Sequence, residues 1–209
     1  MGMFEYKTLS QLVRQYDAKD FPSPSRIFAG INPKQHAFFQ KALQDKKSVV
    51  YKAVLSGRRV HKAFETGIAK DLFEEAVLRL YKKEVECDID EVWAQEMGLV
   101  SLRHRFKGKF DGVGIFRGLP TIWDYKKVNR PKSIDQVQNY VKQCSAYAMA
   151  HSEMYGDINQ IAIMLIAGKK KEDLSTEVFV FKNSELRQAK NNFLADLSTY
   201  QKILRAQKK

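Results

Sequence analysis

Three residues in the middle of the chain have the types and spacing to carry out phosphate chemistry. Asp124 and Lys126 are two residues apart in a segment that the pattern predicts as a strand, so their side chains share one face. Asp111 lies on the preceding predicted strand, and the segment 117–120 between them is typical of a hairpin turn. We therefore expect Asp111 to approach Asp124 and form a site with two carboxylates.

Two carboxylates of this kind can hold Mg²⁺ or Mn²⁺, with several waters retained on the ion. The metal would offset phosphate charge and lower the pKa of a bound water, while Lys126 would orient or deprotonate that water or stabilise the transition state. The alternative for Asp124 and Lys126 is a surface ion pair at a strand end. Charges in an inner strand are costly without compensation, which favours the metal site.

The rest of the pattern predicts the elements around this hairpin. Helices are expected over 9–16, 33–46, 57–83, 134–155 and 184–206, with capping boxes at Asn32 and Ser133 opening the second and the fourth. Strands are expected over 91–96, 102–116, 121–126, 160–167 and 176–181, and 21–25 is expected to be extended or a turn. This order indicates an α/β fold with a mixed central sheet flanked by helices. We expect one domain over 1–209, with a helical N-terminal region over 1–56 and a catalytic core over 57–209.

The net charge of +12 favours a polyanionic partner, nucleic acid first and an acidic membrane surface second. The longest apolar run, 161–167, is far shorter than the roughly 20 residues of a membrane-spanning helix. The first nine residues resemble neither a secretory signal nor a transit peptide, so a cytoplasmic location is expected. Two cysteines cannot build a disulfide framework or supply the four thiolates of an iron–sulfur cluster.

The motifs around the hairpin resemble those of a known nuclease family. Gly108-Lys-Phe-Asp111, a hairpin, and Ile122-Trp-Asp-Tyr-Lys-Lys127 resemble motifs II and III of the PD-(D/E)XK superfamily, in particular its RecB-like exonuclease branch. Phe110 replaces the proline that names the family. The resemblance implies a restriction-endonuclease-like core, metal binding by Asp111 and Asp124, and catalysis by Lys126.

Two further motifs resemble signatures of the same branch. Gly57-Arg-Arg-Val-His61 is similar to its Gly-x-x-x-His signature, which implies that His61 is a metal ligand. Gln143-x-x-x-Tyr147 is similar to its Gln-x-x-x-Tyr signature, which implies that Gln143 and Tyr147 lie on the substrate side. The alternatives are a helix-face histidine paired with Glu65, and a local hydrogen bond with core packing for Gln143 and Tyr147.

The front of the chain carries a narrower resemblance. The segments 21–28 and 56–61 are similar to the mitochondrial genome maintenance exonuclease group, whose members act on single-stranded DNA with a helical region arching over the active site. This likeness implies that Ser25, Arg26, Arg58 and Arg59 lie on the substrate side. The missing transit peptide favours a relative from a bacterium, or from a phage-infected host cell.

The segment 34–62 is both basic and aromatic, with eight Lys or Arg against Asp45 and with Phe38, Phe39 and Tyr51 interleaved. This pattern is typical of a groove for a single strand, and its alternative is a solvated basic helix. We expect a metal-dependent DNA exonuclease that acts on single strands in replication, repair or recombination. The alternatives are a structure-selective or duplex-end endonuclease of the same fold, and a non-catalytic protein that binds single-stranded nucleic acid.

Overall fold

The computed structural model describes residues 4–207, as seven α-helices and seven strands with three short 3-10 helices between them. The helices are α1 (Leu9–Gln15), α2 (Pro24–Ile31), α3 (Pro33–Gln44), α4 (Val49–Thr66), α5 (Leu72–Glu84), α6 (Gln138–Met154) and α7 (Asn183–Ala206). The strands are β1 (Ile89–Gln95), β2 (Gly98–Ser101), β3 (Phe106–Lys109), β4 (Gly112–Phe116), β5 (Leu119–Val128), β6 (Gln160–Ala167) and β7 (Ser175–Lys182). Among these residues, no helix is both long and apolar enough to span a bilayer.

Five of the strands form one mixed sheet in the order β1-β4-β5-β6-β7. Strands β5 and β6 are parallel and the other neighbours are antiparallel, while β2 and β3 form a separate hairpin. The parallel pair requires a crossover, which α6 supplies between β5 and β6. The predicted mixed sheet flanked by helices is confirmed.

The two faces of the sheet are covered by different helices. Ile122 on β5 belongs to the apolar cluster shared with α6 and α7, whereas its neighbour Trp123 belongs to the cluster shared with α4 and α5. Successive strand residues point to opposite faces, so Asp124 and Lys126 share the α6 side with Ile122. All eight residues of β6 are buried, which is typical of a strand covered on both faces.

The turn between β4 and β5 sets the register of the two strands and thereby the positions of the acidic residues at their other end. Its turn consists of Arg117 and Gly118, both with positive φ (48° and 76°), a combination typical of a type I′ turn, and Phe116 pairs with Leu119. The predicted hairpin is confirmed, with a tighter turn than 117–120. The last pair of the ladder is Gly112 with Trp123, so Asp111 and Asp124 are the residues that adjoin this pair on the two strands.

The single helix expected over 57–83 is wrong, because two helices occupy this stretch. Helix α4 begins at Val49 and ends at Thr66, where Gly67 adopts a left-handed conformation (φ 69°). Helix α5 is capped by the Asp71 side chain, which accepts hydrogen bonds from two backbone amides. The apolar spacing continues across both helices, but a left-handed C-cap and a new N-cap interrupt the backbone. The expected boundary at Gly57 lies inside α4.

The strand expected over 102–116 is also wrong. Residues 102–105 form a turn, β3 pairs with β2 in the small sheet, and β4 enters the main sheet after a break at Phe110 and Asp111. The predicted pattern of alternation could not reveal the break, because both pieces are extended. Asp111 therefore lies just before β4 and not within a continuous strand.

Two local predictions near the helix starts differ from the structure. Helix α2 begins at Pro24 inside the stretch expected to be extended, and Ser23 caps it by accepting a hydrogen bond from the Arg26 amide (3.2 Å). Proline is well suited to the first turn of a helix, which explains this start. Asn32 makes no side-chain cap for α3. At Ser133 the expected contact with Gln136 is present (3.1 Å), and a short 3-10 helix precedes α6.

Candidate active site

The two acidic residues of the hairpin lie against its backbone. The break before β4 leaves the Asp111 carboxylate free to turn toward β5, where its Oδ2 accepts a hydrogen bond from the Tyr125 amide (2.7 Å). Asp124 lies within β5 and is only 2% exposed. Both acids adjoin the last pair of the hairpin, and they are close enough for the Asp111 charge to act on the pKa of Asp124.

Lys126 lies beside Asp124 on the same face of β5. Its Nζ is 2.5 Å from Asp124 Oδ2 and 5.4 Å from the centre of the Tyr140 ring. This contact is an ion pair between the Lys126 ammonium and the buried Asp124 carboxylate. The Lys126 side chain as a whole is partly exposed.

Helix α4 brings His61 to the same end of the hairpin. Its Nε2 lies 3.1 Å from Asp111 Oδ2 and 2.8 Å from the Tyr125 carbonyl oxygen, and its Nδ1 lies 3.7 Å from Glu96 Oε1. Both neighbours of Nε2 are acceptors, so Nε2 carries the proton here. The alternative pairing with Glu65 is absent, because Glu65 forms its ion pair with Lys62 (2.9 Å).

Glu96 joins this cluster although the sequence analysis did not single it out. The β1–β4 ladder ends at Gln95 opposite Gly112, and one step further the Glu96 amide donates a hydrogen bond to the Asp111 carbonyl oxygen (3.2 Å). Glu96 has a positive φ (56°), which is uncommon for glutamate, and its carboxylate also pairs with Lys109. No local motif marks this residue; the one available signal was an acid immediately after a predicted strand.

The two hairpin carboxylates have pKa values displaced in opposite directions. Burial raises the pKa of Asp124 to about 6, an effect that the nearby Lys126 charge reduces and the Asp111 charge increases. Burial also acts to raise the pKa of Asp111, but the hydrogen bond from His61 and the charge of Lys126 outweigh it, and the net pKa is lowered. Two nearby acids in different environments are typical of functional sites.

The two basic groups hold their protons firmly. Burial acts to lower the pKa of His61, but contacts with Asp111 and Glu96 outweigh it and raise that pKa to about 10. Burial likewise acts to lower the pKa of Lys126, and the charges of Asp124 and Asp111 outweigh it and raise it. The site therefore balances negative carboxylates against positive side chains within one small volume.

The residues present fit a divalent cation. One ligand atom each from His61, Glu96 and Asp111 lie within 4.8 Å of one another, and the buried Asp124 carboxylate lies near enough for the Asp111 charge to act on its pKa. Carboxylate oxygens are the ligands that Mg²⁺ and Mn²⁺ prefer, and the His61 imidazole can serve as a ligand once a bound cation displaces a proton from the ring. A cation here would relieve the repulsion between the acids. Of the three expected ligands, His61 and Asp111 share this group, while Asp124 lies outside the 4.8 Å set.

Gln143 and Tyr147 contact each other one turn apart on α6. The Gln143 side-chain amide donates a hydrogen bond to the Tyr147 hydroxyl (2.9 Å). Tyr147 is 4% exposed and belongs to the core, as the packing alternative expected, while Gln143 is half-buried and faces the groove between α2, α3 and α6. Tyr147 is nevertheless close enough to Asp124 and Lys126 for their charges to act on its pKa, which burial raises. The pair therefore links the core to the surface beside the site.

The two expected arginines on α4 have different surroundings. Arg58 is exposed and forms no ion pair among the described residues. Arg59 binds α5 instead, with its Nε 2.6 Å from the buried Glu74 carboxylate and its guanidinium also paired with Asp71. Arg59 thus joins two helices across the break at Gly67, a role that the sequence analysis did not anticipate.

Ser25 and Arg26 lie on the first turn of α2 and are both exposed. Ser25 lines the same groove as Gln143, and Arg26 does not. Neither side chain forms an ion pair or a hydrogen bond with Asp111, Asp124, Lys126 or His61 in the part of the chain described. Their expected role on the substrate side stays a prediction.

A mixed sheet that carries two acids and a lysine on its central hairpin is suited to metal-assisted phosphodiester hydrolysis. The sequence model of the PD-(D/E)XK nuclease superfamily matches residues 14–207. The chain belongs to this superfamily, and its mixed sheet flanked by helices is a restriction-endonuclease-like fold.

Two solved structures resemble the chain at low sequence identity. One is the crystal structure of a protein from Eubacterium rectale that is described provisionally as an exonuclease. It is 13% identical in sequence, with a TM-score of 0.47, and the match covers 96% of this chain and 69% of that chain. The protein SSO0001 is 13% identical with a TM-score of 0.39, over 82% of this chain and 70% of that chain. No curated protein matches the sequence.

Proposed function

We propose that this protein is a metal-dependent exonuclease that hydrolyses phosphodiester bonds of single-stranded DNA. The observation that carries the proposal is the placement of Asp111 and Asp124 at the same end of one hairpin, with the Lys126 ammonium 2.5 Å from Asp124. His61 and Glu96 add two further ligand groups at the end of the same hairpin. Few arrangements other than a cation site account for so many charged groups at the edge of the core.

Asp111, Asp124, His61 and Glu96 would hold Mg²⁺ or Mn²⁺. When bound, such an ion neutralises charge on the scissile phosphate and lowers the pKa of a bound water. Lys126 acts as a positive hydrogen-bond donor, because its ammonium is paired with Asp124 and its side chain is partly exposed. Directed at a phosphate oxygen, it stabilises the charge that develops as the bond to the leaving oxygen breaks. The buried position of Asp124 excludes water from behind the site.

The surface of α3 and α4 supports a nucleic acid substrate. All eight basic side chains between Lys34 and Lys62 are exposed, as expected for a surface that meets phosphates. Helix α3 contains no buried residue, and its Phe38 and Phe39 are 73% and 41% exposed. Exposed aromatic rings beside positive charge suit unpaired bases, which stack on such rings in single strands and are covered in a duplex.

The narrower assignment rests on the motifs. The contact of Gln143 with Tyr147 and the position of His61 beside Asp111 support the RecB-like branch, whose signatures these residues resemble. The helices α2 and α3 support the likeness to the mitochondrial genome maintenance exonuclease group, since both lie beside the first turns of α6, where Tyr140 and Gln143 are located. Enzymes of this kind act in DNA replication, repair or recombination, and we assign the protein to that setting.

The test is a cleavage assay on three labelled substrates: a linear single strand, a linear duplex and a closed single-stranded circle. Each is incubated with Mg²⁺, Mn²⁺ or a chelator. Loss of the linear single strand in metal alone supports the proposal. Lys126→Ala is expected to lower the rate by about 10²–10³-fold, which is the usual effect of removing one group that stabilises the transition state.

Lys182→Ala is the matched control, because Lys182 is exposed and lies at the opposite end of the sheet, in register with Gln160. This variant should cleave like the wild type. Cleavage of the circle would mean an endonuclease, and preference for the duplex end would mean a duplex-processing enzyme of the same fold. Tight binding in chelator without cleavage in any metal would mean a non-catalytic binding protein.

A further inference from the structure

A groove of about 450 Å³ runs between α2, α3 and α6. Four of its lining residues carry aromatic rings: Phe28 on α2, His36 and Phe39 on α3, and Tyr140 on α6. Phe28 and Tyr140 are half-buried, whereas His36 and Phe39 are exposed. The groove is therefore packed against the protein at Phe28 and Tyr140 and open to solvent at His36 and Phe39. Its size falls in the usual range of small-molecule pockets.

Five side-chain amides complete the lining: Asn32, Gln35, Gln40, Asn139 and Gln143. No Lys, Arg, Asp or Glu is among the described residues that line the groove, although the chain carries 36 basic and 24 acidic residues. A phosphate site would require basic groups or convergent backbone amides. Aromatic rings with side-chain amides instead match a nucleobase, whose flat face stacks and whose edge both donates and accepts hydrogen bonds.

The groove is adjacent to the catalytic hairpin. Tyr140, which lines the groove, has the Lys126 Nζ 5.4 Å from its ring centre, and Gln143 bonds to the Tyr147 hydroxyl. Lys132 Nζ lies 5.8 Å from the centre of the same ring, and Lys132 belongs to a second, basic pocket. Arg130 and Lys169 line that second pocket as well. The uncharged aromatic groove and the basic pocket are thus adjacent at Tyr140.

We propose that the groove between α2, α3 and α6 binds one unpaired nucleobase of the DNA strand, next to the phosphate that is cleaved. That the bound base lies next to the cleaved phosphate rests on the proposed function. That the groove binds a base rests on the residues that line it. The sugar-phosphate backbone then follows Lys132 and its basic neighbours, while the base turns into the groove. A base paired in a duplex cannot enter, which gives the site a structural reason to prefer single strands.

The test measures binding in chelator, so it does not depend on cleavage. The probes are fluorescent DNA strands with a stable hairpin at one end and a free single-stranded end at the other. One set has a free 5′ end and a second set has a free 3′ end. Within a set, one abasic site replaces the base at each successive position from the free end. In the wild type, base removal at one position is expected to weaken binding about tenfold, the effect of removing one stacked base.

Phe39→Ala is expected to weaken binding of the intact strand about tenfold and to abolish the penalty at that position. Asn139→Ala should reduce the same penalty, because its amide no longer bonds to the edge of the base, and serves as a second variant on a different helix. Phe38→Ala is the control for the position, because Phe38 is next in sequence but does not line the groove, so any loss of overall binding should be the same for the intact and the abasic strands. It should keep the position-specific penalty. Phe38 and Phe39 lie on α3, which contains no buried residue, and Asn139 is exposed on α6, so these changes should leave the fold intact, which circular dichroism checks.

A wild type without a position-specific penalty would overturn the proposal, and so would Phe39→Ala that retains the whole penalty. These outcomes are distinct from failure of the nuclease proposal. Normal cleavage of linear single strands without a sensitive position would overturn the base pocket alone. If base removal at one position weakens binding but no metal supports cleavage, the base-binding groove would be retained and the nuclease assignment overturned.

Discussion

Asp111 directly precedes β4, and its Oδ2 accepts a hydrogen bond from the amide of Tyr125, the residue after Asp124 on β5. This bond fixes the Asp111 carboxylate against the strand that carries Asp124 and Lys126. The two acids and the lysine therefore form one unit, and their relative position depends on the two-residue turn at the far end of the hairpin.

Metal binding should stabilise the fold. A ligand present at 100 times its dissociation constant contributes about 2.7 kcal/mol, which corresponds to a rise of about 5–10 °C in Tm for a chain of this size. We expect Mg²⁺ or Mn²⁺ to produce such a rise in the wild type and chelator to reverse it. Asp111→Asn should abolish most of the rise in a thermal melt. Asp157→Asn, an exposed aspartate outside the site, should retain it.

His61 and Glu96 should both contribute to metal affinity. His61→Ala and Glu96→Gln are each expected to weaken Mn²⁺ binding by at least about tenfold, as measured by isothermal titration calorimetry. Glu65→Gln is the control, because Glu65 pairs with Lys62 and not with His61. Unchanged metal affinity in His61→Ala would remove this residue from the ligand set and leave it as a structural partner of Asp111.

Arg58 and Arg59 should separate into a DNA-binding and a structural residue. Arg59→Ala leaves the buried Glu74 carboxylate without its cation and should lower the free energy of unfolding by about 1–3 kcal/mol in a urea titration. Arg58→Ala should leave stability unchanged and weaken binding of single-stranded DNA, and its salt dependence should be shallower by about 0.7 for each phosphate that is no longer neutralised. The reverse assignment of the two effects would contradict the structure.

The contact between Gln143 and Tyr147 should act as a unit. Tyr147→Phe keeps the buried ring and removes the hydroxyl that holds Gln143, while Gln143→Ala removes the group that faces the groove. We expect each variant to slow cleavage, and the double variant to be no slower than Gln143→Ala alone. Additive effects in this double-mutant cycle would mean that the two residues act independently.

Much of the site followed from local sequence. A two-residue spacing in a strand fixes Asp124 and Lys126 on one face, and Arg117-Gly118 is a turn that selects one hairpin register and so the position of Asp111 relative to Asp124. The strand 160–167 was predicted with its observed bounds, since a continuous apolar run buried on both faces has few other conformations in this context. The two helices in 57–83 were predicted as one, because the apolar period continues across the C-cap at Gly67 and the N-cap at Asp71.

The amino-acid sequence by itself determined the hairpin, the face shared by Asp124 and Lys126, and the basic and aromatic character of α3. Tertiary structure alone decided that Glu96 joins His61 and Asp111, that Arg59 is bound to Glu74, and that α2, α3 and α6 enclose a groove lined by amides. The physical reason is the range of the interactions involved. Spacing and turn chemistry act over a few residues, whereas these contacts require separate segments to be held together by the core that forms between them.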